Sequence, residues 1–506
     1  MAARMNDAEA IMWAVESDPF LRTDFTNITL LESTPDPVRL RAGLEQAISV
    51  FPPLRQRVAR PPLGLAPPQW ADDPDFDLRY HLRRLSVSPP GELRQVLDLA
   101  AQLAAMPLDR ARPLWELTVI EGIADGRAAV LQRLHHTLTD GVGGMKLLRS
   151  LLARTPGPDA GEAAPAAPEH VFDPLVWRHP EILSPADVIA RPLDGWHDPA
   201  DRDGTGVFER VAAGLTEVSG SLGYRIGQGI TAARKGLELA STLPNATGDD
   251  LRILAERALR TAQSVADQVM VAGGPLSPLM VGRSLTRHFE TASFDLAPYR
   301  QAARALGASR NAVFVAGVTG ALLAYHERMG APCDALRMAI PVSLRSSAGP
   351  AGAPGPTPVG GNRFAPARVI VPLGPKDPAK RVAATGRTLS HLAGEPGLTM
   401  ADGLAGLISL LPASVLVPAL RAQAHTVDFA ASIVPGLRSG RFMAGAPVEA
   451  SWPMGPRVGC ALNFTLLTCD DRLHLGVNLD PAAVTDVATL MECVAESFGD
   501  LLEAGA

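Results

Sequence analysis

Residues 135–141 read His135, His136, Thr137, Leu138, Thr139, Asp140, Gly141, two adjacent imidazoles followed at a fixed distance by an acid and a glycine. A neutral imidazole accepts a proton near neutral pH without a metal to tune it, so a histidine at a strand end is a ready general base. Residues 128–136 supply that strand. At period two, Val130, Leu134 and His136 share one face, and Leu131, Arg133 and His135 share the other. The two imidazoles therefore point in opposite directions and cannot share a role. Asp140 and Gly141 open a turn, after which Met145, Leu147, Leu148, Leu151 and Leu152 recur as the apolar stripe of a helix. Gly141, Gly143 and Gly144 allow backbone angles or close approaches that a side chain would forbid. Taken alone, the heptapeptide also fits a satisfied buried histidine pair, or a metal site built on His136 and Asp140. The remaining histidines are scattered singly without ligand spacing, so no metal is expected.

The elements that must hold these residues are mixed. Residues 40–50 and 93–106 carry helical periodicity, and 112–121 and 128–136 carry strand character. Residues 155–169 are rich in proline, alanine and glycine, a linker composition that closes a first domain. Long helical patterns over 208–243 and 250–271, broken at Pro244 and Asn245, read as a connector. Beyond it, 296–306 and 311–329 read as helices, and 336–341 and 367–371 as strands. Residues 346–358 form a glycine/proline loop, and 461–469 with 473–479 pair as a hairpin around Asp470-Asp471. The expected division is 1–170 for a first domain carrying the histidine motif, 171–276 for a helical connector and 277–506 for a second α/β domain. A chain of 506 residues exceeds what one core usually holds, which agrees with two domains.

Composition excludes several classes. A 46% apolar share suits a packed globular protein, and a net charge of −6 gives no reason to expect nucleic acid. Cys333, Cys460, Cys469 and Cys493 are widely spaced with no Cys-x-x-Cys, so they read as reduced thiols of a cytoplasmic protein. Residues 1–10 carry Asp7 and Glu9 and no continuous apolar run, which argues against a secretory signal. Arginine far outnumbers lysine, a mark of a bacterium with GC-rich DNA. Residues 403–420 run for eighteen positions without a charge, the lower limit for a membrane span. Pro412 and Pro418 interrupt that stretch, so two short packed helices are expected ahead of a lipid-facing patch, and a span comes last.

The run Pro107-Leu108-Asp109-Arg110-Ala111-Arg112-Pro113-Leu114-Trp115-Glu116, then Glu121-Gly122, then 135–141, resembles the bacterial wax ester synthase/diacylglycerol acyltransferase family. Other stretches agree in order: Asp7-Ala8 with Glu16, residues 70–81, Pro341-Val342-Ser343-Leu344-Arg345, Gly361-Asn362-Arg363, Leu462-Asn463-Phe464 and Asp480-Pro481. The resemblance spans about residues 5–500. It implies two chloramphenicol-acetyltransferase-like α/β sandwich domains with a central tunnel, and transfer of a fatty acyl group from acyl-CoA to an alcohol. The alcohol would be diacylglycerol, giving triacylglycerol, or a long-chain alcohol, giving a wax ester. Acyl-CoA is then a co-substrate and no cofactor is required. A peripheral position at the inner membrane or a lipid droplet would follow from such substrates.

By the same resemblance His136 is the general base, His135 orients the loop through a backbone hydrogen bond, and Asp140 is mainly architectural, paired with an arginine. Asn311, at a predicted helix start, is a candidate oxyanion donor or an ordinary N-cap. Ser432 and Asn463 are candidate substrate contacts, while Pro113, Leu114 and Trp115 pack beneath the site. No Gly-x-Ser-x-Gly elbow is present, so no acyl-enzyme is expected. Two blocks depart from the family pattern: Asn311 is followed by Ala312 where the family has Asp, and Ser432 by Ile433 where it has Asn. These departures point to two alternatives, a different lipid or natural-product hydroxyl as acceptor, or a catalytically silent lipid-binding protein.

Overall fold

A computed structural model describes residues 3–59, 68–139, 141–153, 273–343, 364–393, 413–437 and 441–505. These residues fall within one compact unit of the chain. The connector helices expected over 208–243 and 250–271, the loop at 346–358 and most of the apolar stretch 403–420 lie outside the described residues, as does Asp140.

In the first half the described elements are β1 (Ala3–Arg4), α1 (Asp7–Val15), β2 (Asp24–Leu31), α2 (Pro37–Val50), β3 (Gln56–Ala59), β4 (Gln69–Asp72), α3 (Leu78–His81), β5 (Leu82–Ser86), α4 (Leu93–Ala105), β6 (Trp115–Glu121), β7 (Ala128–His135), α5 (Gly141–Ser150) and β8 (Leu152–Ala153). The second half contributes β9 (His288–Asp295), α6 (Leu296–Ala305), α7 (Arg310–Arg328), β10 (Ala335–Ser343), β11 (Phe364–Pro372), α8 (Pro378–Ala393), α9 (Ala413–Ala424), β12 (Phe429–Leu437), β13 (Phe442–Met443), β14 (Ala446–Met454), β15 (Leu462–Cys469), β16 (Arg472–Leu479) and α10 (Val487–Glu503). A seven-stranded sheet runs β5-β6-β7-β2-β14-β13-β8 and a six-stranded sheet β11-β10-β12-β15-β16-β9. The expected α/β class holds in both halves.

Local chemistry explains the element ends. Asp36 accepts from the backbone N–H groups of Val38 and Arg39, and Pro37 occupies the first turn of α2 where its missing N–H costs nothing. β6 starts at Trp115, three residues later than the pattern suggested. Arg112 N–H already closes a turn on Asp109, and Pro113 has no N–H to give the ladder. On α4, Val96, Leu97, Ala100, Ala101 and Ala104 recur at helical spacing and are buried.

The period-two reading of β7 is realised as two cores rather than one wet and one dry face. Val130 and Leu134 enter the core covered by α2 and α5, while Ala129 and Leu131 enter the one covered by α4. A strand buried on both faces reads as a nearly continuous apolar run. In the second half, α6, α7 and α10 pack on the six-stranded sheet through Tyr299, Phe314 and Phe498.

The halves interlock through chain exchange. β14, which follows β12 in sequence, crosses to pair antiparallel with β2, from Val448 opposite Leu31 to Met454 opposite Thr26. Where β14 passes β16, a Cβ on Gly476 would come within 2.0 Å of the Pro453 carbonyl oxygen. Only glycine permits that approach. Arg287, just before β9, donates to both oxygens of Asp24 on β2 at 3.0 and 3.2 Å, and Arg94 on α4 reaches Glu290 at 2.7 Å.

No single described helix is long and apolar enough to cross a membrane. The bent pair α6 and α7 passes on length and composition, but residues from Ala312 to Leu322 of α7 are buried in the second core. Of the residues 403–420, only the start of α9 is described, with Pro418 inside the helix and exposed.

Candidate active site

The two histidines occupy different environments, as expected, although the strand stops one residue short of the predicted 136. β7 ends at His135, whose carbonyl already accepts from Leu138 N–H at 3.0 Å, so His136 falls in the following turn. His135 is fully buried. Its ladder bond goes to the carbonyl of Leu114 at 3.0 Å, which makes Pro113-Leu114-Trp115 the structural neighbour that carries the β6–β7 pairing to the strand's last residue. Trp115 is buried, donates from Nε1 to the Leu54 carbonyl at 2.7 Å and stacks on His81 with ring centroids 4.5 Å apart. Burial pushes the His81 imidazole below its ordinary pKa, so this stack stays neutral.

The His135 ring is held from both sides. Thr137 N–H donates to Nδ1 at 3.1 Å, which places the ring proton on Nε2, 2.8 Å from the Glu16 carboxylate. Glu16 caps the C-terminal end of α1, and the same oxygen accepts from Thr23 N–H at 3.2 Å. One carboxylate thus ties the end of α1, the entry to β2 and the end of β7. The expected backbone contact of His135 is therefore present as the Thr137 bond. Glu16 entered the sequence reading only as part of a resembling block, with no role attached.

Next to it lies a chain of buried charge that periodicity alone did not reveal. Arg133, 2% exposed, donates to Glu116 at 2.9 Å and to the Met106 carbonyl at 2.6 Å, and lies 3.5 Å from Asp24. Arg83 closes on the other oxygen of Glu116 at 2.9 Å. Burial alone would raise the Asp24 pKa, but Arg287 and Arg133 together hold the carboxyl below its ordinary value. The available signal was a charged arginine within a largely apolar strand, on the face assigned to His135.

His136 sits on the opposite side, half-buried, against the ring of Phe25 at a centroid distance of 4.8 Å and 51°. Phe25 in turn fills the space left by Gly144 on α5, where a Cβ would lie 2.7 Å from its Cζ. Gly141 opens α5. The close approach expected from the glycines is thus found at Gly144.

From the second half, β12 meets this region. It pairs with β10 only at Phe429 and Ala430 and then leaves it, continuing beside β15. α5 packs on β12, and Arg149 donates to the Gly436 carbonyl. On β12 Ser432 donates to Thr465 Oγ1 at 3.3 Å. Thr465 donates to Asn463 Oδ1 at 2.7 Å, and Asn463 donates to the Pro456 carbonyl at 2.8 Å. The structure therefore joins Ser432 and Asn463 through Thr465, a residue the sequence analysis did not single out. Ile433 is 37% exposed.

Asn311 is placed elsewhere. It is exposed on the first turn of α7, whose packing neighbours are α6, α8 and α10. The N-cap is Ser309, whose hydroxyl accepts from Ala312 N–H at 3.1 Å, so the capping alternative for Asn311 is corrected. The helix begins one residue earlier than expected because serine in extended geometry satisfies that N–H. Two clefts among the described residues, one lined by Arg22, Arg283, Arg287, Arg457 and Asp480 and one by Arg368, Arg387 and His391, do not include His136.

Residues 5–314 match the wax ester synthase/diacylglycerol acyltransferase catalytic domain, and residues 360–502 match the C-terminal domain of the same family. A Mycobacterium tuberculosis H37Rv protein, provisionally named a diacylglycerol O-acyltransferase, is 32% identical over 504 residues, covering 99% of this chain and 92% of its own length. A second protein of that strain, named in the same way, is 29% identical over 520 residues, with 99% and 97% covered. Among solved structures, the wax ester synthase/diacylglycerol acyltransferase of Marinobacter aquaeolei VT8 superposes with a TM-score of 0.57 at 17% identity, covering 99% of this chain and all of its own. The first condensation domain of the calcium-dependent antibiotic synthetase gives 0.58 at 16% identity, with 100% and 97% covered. These two likenesses concern the fold.

Proposed function

The chain belongs to the wax ester synthase/diacylglycerol acyltransferase family and is an acyltransferase, and we propose that it moves a fatty acyl group from acyl-CoA to an alcohol, with diacylglycerol as the principal acceptor. The observation that carries the reading is the division of labour between the histidines. His135 is locked by Glu16 and Thr137, while His136 stands on Phe25 ahead of α5 and is only half-buried.

An aliphatic hydroxyl is too weak an acid to ionise before attack. In the proposed step His136 removes its proton as the oxygen bonds to the thioester carbon, a form of assistance worth about 10²–10⁴ in rate. The tetrahedral intermediate then expels the coenzyme A thiolate, which takes the proton back from the imidazolium. The products are an ester and free thiol, with no acyl-enzyme and no resident metal. His135 acts as a positioning residue through the Thr137 turn, and Ser432 with Asn463 supplies polar contacts from the second half. Asp140 is assigned to holding the turn. Such acceptors partition into lipid, which favours a cytoplasmic protein working peripherally at a membrane or droplet surface.

Purified protein with labelled palmitoyl-CoA and either dioleoylglycerol or hexadecanol tests the proposal. Ester is expected with dioleoylglycerol and is lost in His136→Ala. No ester above that variant with either acceptor would defeat the reading. A second reading, an acceptor other than diacylglycerol, is motivated by Ile433, apolar and exposed where the family pattern is polar. It fails if an acceptor panel finds diacylglycerol alone active.

A further inference from the structure

Gln132 on β7 is 5% exposed, and among the described residues its side-chain amide makes no hydrogen bond. Its counterpart across the ladder is engaged: Asn27 on β2, directly opposite, donates to Thr29 Oγ1 at 3.0 Å and to Ser451 Oγ at 2.9 Å. On the other side Gln132 faces Leu117 of β6. A primary amide that is nearly buried and unbonded, yet not wholly sealed from solvent, opposes folding unless a partner reaches it, so its retention calls for a partner outside the fold.

Its face identifies that partner. Residues opposite in an antiparallel pair share a face, so Gln132, Leu134 and Phe25 project together, and Phe25 carries the His136 ring. Gln132 lies four residues before His136, roughly 13 Å along an extended strand. We infer that Gln132 is a substrate-binding residue whose amide hydrogen-bonds a carbonyl of the substrate lying along this face of β7. An amide offers two N–H donors and one acceptor, a match for a carbonyl and no match for an alkyl chain. The polar part of a substrate, and not its acyl tail, therefore runs from His136 toward Gln132. The inference rests on the acyltransfer reading above. In that reaction two substrates carry carbonyls beside the reacting group: the pantetheine amides of acyl-CoA and the glycerol esters of diacylglycerol.

Gln132→Leu in the full chain tests it. The variant keeps the volume and removes the amide, so it is expected to unfold in urea at or above the wild-type midpoint, whereas an amide bonded within the fold would lower that midpoint. KM is expected to rise about tenfold with kcat within twofold, the loss of one substrate hydrogen bond. Four donor–acceptor pairs locate the carbonyl, from palmitoyl-CoA or the short S-ethyl thiopalmitate, which carries no pantetheine amide, with dioleoylglycerol or hexadecanol. A defect that vanishes with the short thioester assigns pantetheine, and one that vanishes with hexadecanol assigns the glycerol ester. A destabilised variant, an unchanged KM in every pair or an equal defect in all four overturns the inference. Should the wild type turn over none of the pairs, the acyltransfer reading fails by itself. Calorimetry with coenzyme A and with dioleoylglycerol micelles then decides for Gln132: weaker binding of either in the variant upholds it, and equal binding of both overturns it.

Discussion

Glu16→Ala is expected to destabilise the fold by about 3 kcal/mol. The Glu16 oxygen that meets His135 Nε2 at 2.8 Å also accepts from Thr23 N–H at 3.2 Å, and His135 and Thr23 are buried. Truncation strands two donors at once, and each buried unsatisfied donor costs about 1–3 kcal/mol. Glu16→Gln behaves differently, because both bonds converge on one oxygen and a glutamine can place its carbonyl oxygen there. It forfeits only the charge assistance, about 1 kcal/mol. The assay is urea unfolding followed by tryptophan fluorescence, alongside kcat and KM with palmitoyl-CoA. Once the His135 ring can turn, Nδ1 no longer fixes Thr137 N–H, and the turn carrying His136 loosens. The alanine variant should therefore lose about tenfold in kcat with KM little changed, because small misplacements of a reacting group are costly. An alanine variant within 0.5 kcal/mol of wild type would refute the reasoning. It would mean that His135 finds another acceptor, for which Thr23 Oγ1 at 3.4 Å is the nearest candidate.

Two further perturbations probe packing and pH. Burial depresses the His474 imidazole to about 4 from an ordinary 6.5, so its contribution to stability is complete above pH 6.5 and is lost as pH falls toward 4, up to about 3 kcal/mol. Urea midpoints at pH 7 and pH 4.5 should converge in His474→Leu more than in wild type, and an unchanged pH dependence would contradict this. Gly144→Ala gains about 1 kcal/mol of helix propensity yet drives a methyl to within 2.7 Å of Phe25. The ring must shift and His136 with it, so activity should fall at least tenfold while the melting temperature stays within a few degrees; full activity would show that Phe25 does not set the imidazole.

Much of the fold was legible because its signals are local. The apolar recurrence in α4 and the alternation around Asp470-Asp471 placed α4, β15 and β16 within a residue or two. The ends slipped where a neighbour competes for the backbone: β6 lost three residues to the turn at Arg112 and Pro113, and α7 began one residue early because Ser309 caps it. In the site, period two anticipated that His135 and His136 lie apart, although His136 falls in the turn beyond the strand, and the glycine approach was foreseen, though not which ring would fill it. The capping alternative for Asn311 failed because a polar residue near a helix start resembles a cap in sequence, and only coordinates distinguish the residue that reaches the free N–H.

Sequence order alone determined the strand, the turn and the helix that bring His136 into play, since each depends on residues within one or two turns of chain. The tertiary structure decided what surrounds them. Glu16 meets His135 across 119 positions, Arg287 reaches Asp24 across 263, and β14 returns from the second half to pair with β2. Such contacts form because buried charges and unpaired strand edges need partners, and which partner is supplied depends on how the two sheets are brought together.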